Sequence, residues 1–125
     1  MRGSKNDMQK TSFDELGIVL HETVWNDIHV AFETYQEDFD GSLLHKGGKN
    51  DRCQCPHWGY ILKGQMRVIY ADHEEVIRAG DAFYIPPDHN AVVEAGTESI
   101  EFSPNGPLQK EMEIAVRNFE AMRKK

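Results

Sequence analysis

Residues 57–102 read HWGYILKGQMRVIYADHEEVIRAGDAFYIPPDHNAVVEAGTESIEF, and this stretch decides the fold. It alternates short apolar runs with residues that favour turns. The runs that fit strands are 58–63, 66–71, 75–78, 82–85, 91–94 and 99–102. The turn residues between them include Gly64, Asp72, Gly80, Pro86 and Gly96. Short strands at such even spacing are typical of an all-β sandwich or barrel.

The residues before this stretch extend the β pattern. Residues 18–25 predict a strand with mixed faces, and residues 28–35 alternate apolar and polar side chains, which predicts another strand. Ser12 and Glu15 have the spacing of a capping box, so we expect one helical turn that Gly17 ends.

Residues 36–52 form a long polar segment with several glycines, yet they contain the apolar pair Leu43 and Leu44. Loops of this length are usually functional or disordered. The leucines indicate that this loop folds back over another part of the molecule, while we expect His45 beside them to be solvated.

A helix is predicted after the last strand. Apolar residues recur there at spacings of four and three, which is one helical stripe; they are Leu108, Met112, Ala115, Phe119 and Met122. We expect the helix to pack on the outer sheet of the barrel, with a dimer interface as the alternative. The basic residues Arg123, Lys124 and Lys125 fall at the helix end that favours cations.

Length and composition limit the possible functions. The 125 residues fit one domain, and the net charge of −7 disfavours a nucleic-acid partner. No apolar run approaches the roughly 20 residues of a membrane span, and no signal-peptide core is visible, so we expect no membrane partner and a cytoplasmic location. Cys53 and Cys55 are too close in sequence for an ordinary disulfide, so we expect free thiols or metal ligands.

The predicted organisation has three parts. Residues 1–10 form a flexible N-terminal segment, of which residues 1–4, Met-Arg-Gly-Ser, look like an expression leader. Residues 11–104 form the barrel, and residues 105–125 form the helix packed on it.

Two stretches carry a resemblance to a known family. His57, six residues and Gly64 match the end of the pattern G-x5-H-x-H-x3-E-x6-G. Gly80, five residues, Pro86 and Pro87 match the first half of G-x5-P-x-G-x2-H-x3-N. These are the two cupin motifs, so the segment 53–104 resembles the cupin superfamily, and in particular its small single-domain members of uncharacterised function. The resemblance implies an all-β fold, a jelly-roll double-stranded β-helix, here with a C-terminal α-helix.

The departures from the family pattern concern the metal ligands. Typical cupins bind a divalent metal through both histidines and the glutamate of the first motif and the histidine of the second. Aligned on the motif glycines, the two first-motif histidine positions hold Asp51 and Cys53, and the glutamate position holds His57. The second-motif histidine position holds Ala91. The usual ligand set is therefore absent as written.

A substituted metal site is predicted from Cys53, Cys55, His57 and His89. The first three are two residues apart, so a strand would turn them to one face, and His89 lies near the same mouth on the family's layout. Two thiolates and two imidazoles suit zinc, with Asp51 as a reserve ligand. The alternative is that the cysteines are small buried hydrophobes.

A ligand pocket is predicted inside the barrel. Its candidate lining residues are Asp51, Trp58, Tyr60, Leu62, Met66 and Tyr84. The alternative is that the aromatic residues simply fill a narrow barrel.

Three functions follow from these patterns. The first is a small-molecule-binding cupin with a non-standard divalent metal site. The second is a metal-dependent enzyme, an isomerase, lyase or oxygenase on a small organic acid, with Asp51 or Asp88 moving a proton. The third is a structural homodimer. Fold alone does not decide among them.

Overall fold

The chain folds into two antiparallel sheets in the computed structural model, which describes residues 1–123. The large sheet has the strand order β1 (Gln9–Phe13), β2 (Ile18–Trp25), β3 (Ile28–Tyr35), β10 (Glu98–Pro104), β5 (His57–Lys63) and β8 (Ala82–Ile85). The small sheet has the order β4 (Phe39–Asp40), β9 (Asn90–Val93), β6 (Gln65–Ile69) and β7 (Glu74–Arg78). A helix, α1 (Asn105–Arg123), follows β10. Lys124 and Lys125 of the predicted basic cluster lie outside the described residues.

The two sheets pack face to face around an aliphatic core. Ile61 and Ile85 come from the large sheet, and the buried side chains they meet in the small sheet are Met66, Val68, Ile77 and Val93. Among residues 1–123, each strand pairs only with strands of its own sheet. The predicted barrel therefore takes the form of two packed sheets. The predicted all-β jelly-roll fold with a C-terminal helix is confirmed.

The β2–β3 hairpin sets the register of the large sheet. Its turn residues Asn26 and Asp27 have φ values of 48° and 64°, as a type I′ turn requires. The pairing that follows places four residues in one row across neighbouring strands: Glu22, Ala31, Glu101 and Gly59. Since Gly59 and the core residue Ile61 point the same way, this row lies on the inner face.

Helix α1 covers the inner face of β2, which corrects the prediction that it packs on the outer sheet. Met112 and Phe119 of the stripe line a cavity together with Ile18 and Leu20, which point inward from β2. The physical reason is the unequal size of the sheets, six strands against four, which leaves β1 and β2 without a facing strand. The amphipathic helix buries the surface that the small sheet cannot reach.

The N-terminal residues are more regular than the predicted flexible segment. Lys5–Asp7 form a 3-10 turn, and residues 9 and 10 already belong to β1, which pairs with β2. The predicted helical turn is a 3-10 turn over Asp14–Leu16, and Gly17 ends it with a φ of 70°, as expected. Within the described residues, no helix is both long enough and apolar enough to span a bilayer.

Candidate functional site

Three metal-ligating side chains converge where β5 and β9 begin. Donor atoms of Cys53, His57 and His89 all lie within 4.8 Å of one another, and all three residues are buried. The backbones of Cys53 and His89 form an isolated β-bridge, in which the amide of Cys53 donates to the carbonyl of His89 at 2.7 Å. This bridge joins the segment before β5 in one sheet to the segment before β9 in the other, so the fold itself brings the donors together.

Hydrogen bonds orient both imidazole rings toward a shared point. Nδ1 of His89 lies 2.7 Å from the carbonyl of Pro86, to which it donates, so Nε2 keeps a free lone pair. Nδ1 of His57 lies 2.7 Å from Oγ of Ser103, while its Nε2 faces Sγ of Cys53 at 3.7 Å. Ligating histidines in proteins have this arrangement, with one nitrogen on the metal and the other on an oxygen. The residues present therefore fit a divalent metal.

The charges around the two rings differ. Burial would lower the pKa of His57, but the Glu101 carboxylate, with Oε1 2.9 Å from Nδ1, raises that pKa well above its usual value. Burial, and then the charge on His57, lower the pKa of His89 to about 4. His89 is therefore neutral at neutral pH, which is the form that binds metals, whereas His57 would release a proton when a metal binds to it.

Two partly buried carboxyl groups, those of Glu33 and Glu101, lie near His57. Burial and the nearby Glu101 charge raise the pKa of Glu33 well above its usual value. Burial would also raise the pKa of Glu101, but His57 lowers it below its usual value. Oγ of Ser99 donates to Oε1 of Glu33 at 3.1 Å. The opposite shifts favour the protonated form of Glu33 and the ionised form of Glu101.

Two adjoining cavities lie between helix α1 and the inner face. The polar one has a volume of about 140 Å³, and its polar lining consists of Glu22, His29, Glu33, Glu101, Ser103 and Gln109. The apolar one has a volume of about 130 Å³. Leu20 and Met112 line both cavities, so the two are neighbours, and we call them together the slot, with a polar half and an apolar half. Glu101 and Ser103, which line the polar half, are also the partners of His57.

Cys55 does not join the predicted metal group. Its thiol lies 3.3 Å from the Pro56 carbonyl and 3.9 Å from that of Pro104. Burial, followed by the charge on Cys53, raises the pKa of Cys55 to about 12, so this sulfur stays protonated. Cys53 and Cys55 form no disulfide, which leaves the two predicted alternatives, free thiols or metal ligands.

The residues predicted to line the pocket lie elsewhere. Trp58, Tyr60, Leu62 and Tyr84 are 41–51% exposed on the outer face of the large sheet. The reason is parity: His57 points inward opposite Ile85, so the residues an odd number of positions away point outward. Two further residues were predicted for the same pocket: Met66, which lies in the core between the sheets, and Asp51, which is exposed in the loop and accepts from the Gly47 amide.

Two residues near the site were missed from the sequence, His45 and Glu111. Their donor atoms and Sγ of Cys53 lie within 4.8 Å of one another, so the predicted solvation of His45 is wrong. Glu111 is 8% exposed and its Oε1 accepts from the amide of Gln54 at 3.1 Å. The sequence did contain a signal for Glu111. It lies three residues after Leu108, which places a carboxylate on the apolar stripe of the helix.

The similarities of the chain to known proteins concern its fold. Residues 52–102 match the family model described as "Cupin domain". No curated protein matches the sequence. An RmlC-like cupin from Shewanella frigidimarina NCIMB 400 has a TM-score of 0.56 at 17% identity, with 82% of this chain and 88% of that chain covered. KdgF from Halomonas sp. has a TM-score of 0.57 at 19% identity, with 82% and 94% covered.

A third similar structure is an enzyme by name. The polyketide cyclase RemF from Streptomyces resistomycificus has a TM-score of 0.59 at 14% identity, with 84% of this chain and 79% of that chain covered. At such identities the likeness concerns the fold alone. Residues 52–102 therefore resemble a cupin domain, and the chain shares the fold of these structures.

Proposed function

We propose that this protein is a small-molecule-binding cupin that holds a divalent metal at Cys53, His57 and His89. The observation that carries the proposal is the convergence of three buried donor atoms within 4.8 Å, supplied by separate segments of the chain. One thiolate and two imidazoles form a borderline-soft donor set, for which zinc is the most compatible ion. A metal there would supply Lewis-acid chemistry to whatever reaches it.

The burial of the site favours binding over turnover. Cys53, His57 and His89 are only 5%, 7% and 4% exposed, so a substrate could reach a metal between them only after the surrounding loops move. Structural metal sites are closed, whereas catalytic sites keep an open position. We therefore place the small molecule in the slot beneath helix α1, on the other side of His57.

The slot favours a ligand with a hydrogen-bond-donating or cationic head and an apolar body. Three carboxyl groups, those of Glu22, Glu33 and Glu101, line the polar half. The apolar half offers aromatic and aliphatic side chains. The three carboxyl groups outnumber the two imidazoles that pair with them, those of His29 and His57, so amines and alcohols fit better than the organic acid expected for an enzyme.

The enzyme reading remains the second candidate, and one observation favours it. The pKa of Glu33 is raised and that of the neighbouring Glu101 is lowered, and Glu101 contacts both His57 and the polar half of the slot. Such a pair can accept or donate a proton at a bound molecule. In this reading Glu101 replaces Asp51 and Asp88 as the group that moves a proton, because both of those lie on the exposed loops.

We also propose that the protein functions as a homodimer. The four outward residues Trp58, Tyr60, Leu62 and Tyr84 form an apolar outer patch that contains no charged member. The rings of Trp58 and Tyr84 stack at 5.1 Å. Exposed patches of this kind mark interaction sites, and an uncharged patch can face its own copy about a two-fold axis without repulsion.

Metal analysis of variants tests the metal site. We expect His57→Ala and His89→Ala each to lose one molar equivalent of zinc relative to the parent protein, because each removes a donor nitrogen. The measurement is elemental analysis after loading with Zn²⁺ and removal of the unbound ion. His73→Ala is the control, since that side chain is 60% exposed in the β6–β7 turn. Equal zinc content in all four proteins would contradict the proposal.

A further inference from the structure

A second group of donor atoms shares Cys53 with the first. It consists of His45 from the 36–52 loop, Cys53 itself and Glu111 from helix α1, with donor atoms all within 4.8 Å of one another. The three residues come from three separate segments, and Cys53 belongs to both groups. The thiol is therefore the donor that the two groups have in common.

Two polar atoms of this second group are buried without a hydrogen-bond partner. They are Nδ1 of His45 and Oε2 of Glu111. The two atoms are 3.4 Å apart, yet their geometry makes no hydrogen bond. A buried polar atom without a partner loses its hydration with nothing to replace it, so native proteins rarely leave two side by side. A cation between them would satisfy both lone pairs at once.

The surrounding contacts hold these atoms in place. Nδ2 of Asn118 on helix α1 donates to the carbonyls of Leu44 and Lys46, both at 2.9 Å. These two residues flank His45, so the helix fixes the backbone that carries the imidazole. Oε1 of Glu111 is fixed by the amide of Gln54. The donors are therefore preorganised by contacts that do not depend on a bound ion.

A simple ion pair between His45 and Glu111 explains the arrangement poorly. Nδ1 of His45 and Oε2 of Glu111 lie 3.4 Å apart, and neither atom has a hydrogen-bond partner, so both lone pairs are free to meet a cation. A thiolate, a neutral imidazole and a carboxylate are together a donor set that zinc accepts.

We propose that His45, Cys53 and Glu111 form a second divalent-cation site, which shares the Cys53 thiolate with the site at His57 and His89. The inference extends the proposed function, since it adds a second cation beside the first. The second ion would join helix α1 to the loop that carries His45.

Zinc stoichiometry in matched helix variants tests the second site. We expect the parent protein to bind two molar equivalents of Zn²⁺ and Glu111→Gln to bind one. The glutamine keeps the acceptor for the Gln54 amide, so the variant retains the contact that holds the helix to the loop. Glu113→Gln makes the same change at an exposed position of the same helix and should still bind two equivalents. The measurement is elemental analysis of protein loaded with Zn²⁺ and then freed of excess ion.

The cysteines provide an independent arm of the experiment. Because one thiolate serves both sites, Cys53→Ser should lose most zinc from both, whereas Cys55→Ser should keep two equivalents. Replacing zinc by cobalt gives a second readout, since the thiolate–cobalt charge-transfer absorption should disappear in the first variant and persist in the second. Retention of that absorption in Cys53→Ser would overturn the shared-thiolate assignment.

The failure of this inference is distinguishable from the failure of the proposed function. One equivalent in the parent protein, lost in His57→Ala but kept in Glu111→Gln, overturns the second site and leaves the first. One equivalent lost in both variants indicates a single mixed site and also overturns the second. No bound zinc in the parent protein overturns both.

Discussion

Gly59 lies at a point on the inner face of the large sheet where there is no room for a side chain. It lies opposite Glu101 on β10 and opposite Phe83 on β8. A Cβ atom added there would collide with the Ile100 carbonyl oxygen and stand 2.5 Å from Cζ of Phe83. A backbone carbonyl within a sheet cannot move aside as a flexible side chain can. The absence of a side chain at this position is therefore a packing requirement of the large sheet.

We expect Gly59→Ala to destabilise the protein by about 2–3 kcal/mol, because it overpacks a sheet interior. The measurement is urea-induced unfolding followed by circular dichroism. Gly106→Ala is the matched control: it lies in helix α1 with open space around it, and alanine there should stabilise by about 0.5–1 kcal/mol. Equal unfolding midpoints for the two variants would show that Gly59 is not constrained in this way.

At the residue scale the sequence predicted the metal group in part. The pairing of His57 with His89 could be predicted, because the motif spacing places both near one mouth, and their ring centroids lie 5.1 Å apart. The inclusion of Cys55 could not be decided, since Pro56 precedes the strand and breaks the alternation. The predictions that His57 and Tyr60 both point inward were inconsistent, because two residues an odd number of positions apart on a strand point to opposite faces of the sheet.

At the element scale, helix α1 shows which features the periodicity of apolar residues does not predict. The stripe predicted the helix and its buried face, but not the surface that this face meets. That surface depends on how many strands each sheet has, which is set by pairings between distant residues such as Thr34 and Glu98. Glu111 was missed for the same reason, since its surroundings depend on contacts with residues far away in the sequence, such as Gln54, which lies 57 residues earlier.

The slot between helix α1 and β2 should prefer amines over acids. We expect n-alkylamines to raise the melting temperature by roughly 3–5 °C at ten times their dissociation constant, and alkanoates of equal chain length to leave it unchanged. The physical reason is the ionised Glu101 in the polar half. Differential scanning fluorimetry measures the effect.

A matched pair of glutamate variants controls for nonspecific binding to the slot. Glu101→Gln removes the charge inside the slot and should abolish the amine effect. Glu120→Gln removes a charge from the exposed side of the same helix and should preserve the effect. Stabilisation by alkanoates in the parent protein would contradict the proposed ligand class.

At the scale of the whole molecule, the outer patch makes a prediction about assembly. We expect the protein to form dimers whose fraction rises with concentration, and Tyr84→Ser to weaken the dimer about tenfold or more, because buried aromatic residues dominate interfaces. Sedimentation velocity at several concentrations measures this. Val76→Ser, at an apolar residue 38% exposed on the small sheet, should leave the dimer intact. A parent protein that stays monomeric throughout would exclude the dimer.

The fold of the whole molecule was the part most open to prediction. Strand lengths and turns depend on local residues, such as Gly64 and Gly80, whose φ values of 77° and 94° suit glycine. Asp88 likewise adopts a φ of 75° where the family motif has glycine. The position of the loop and helix depends on contacts between distant segments, which no local pattern encodes. The site lies where these long-range contacts meet, so it was predicted less completely than the fold.

The order of elements along the chain has a consequence for synthesis on the ribosome. Every strand of both sheets precedes helix α1, and Glu111 follows His89 by 22 residues. At translation rates of roughly 5–20 residues per second, this interval lasts about 1–4 s. Until the helix docks, we expect the inner face, with Glu22 and later Glu101, to be open to water, ions and solutes. When the helix emerges and docks, it encloses whatever the nascent protein has already captured.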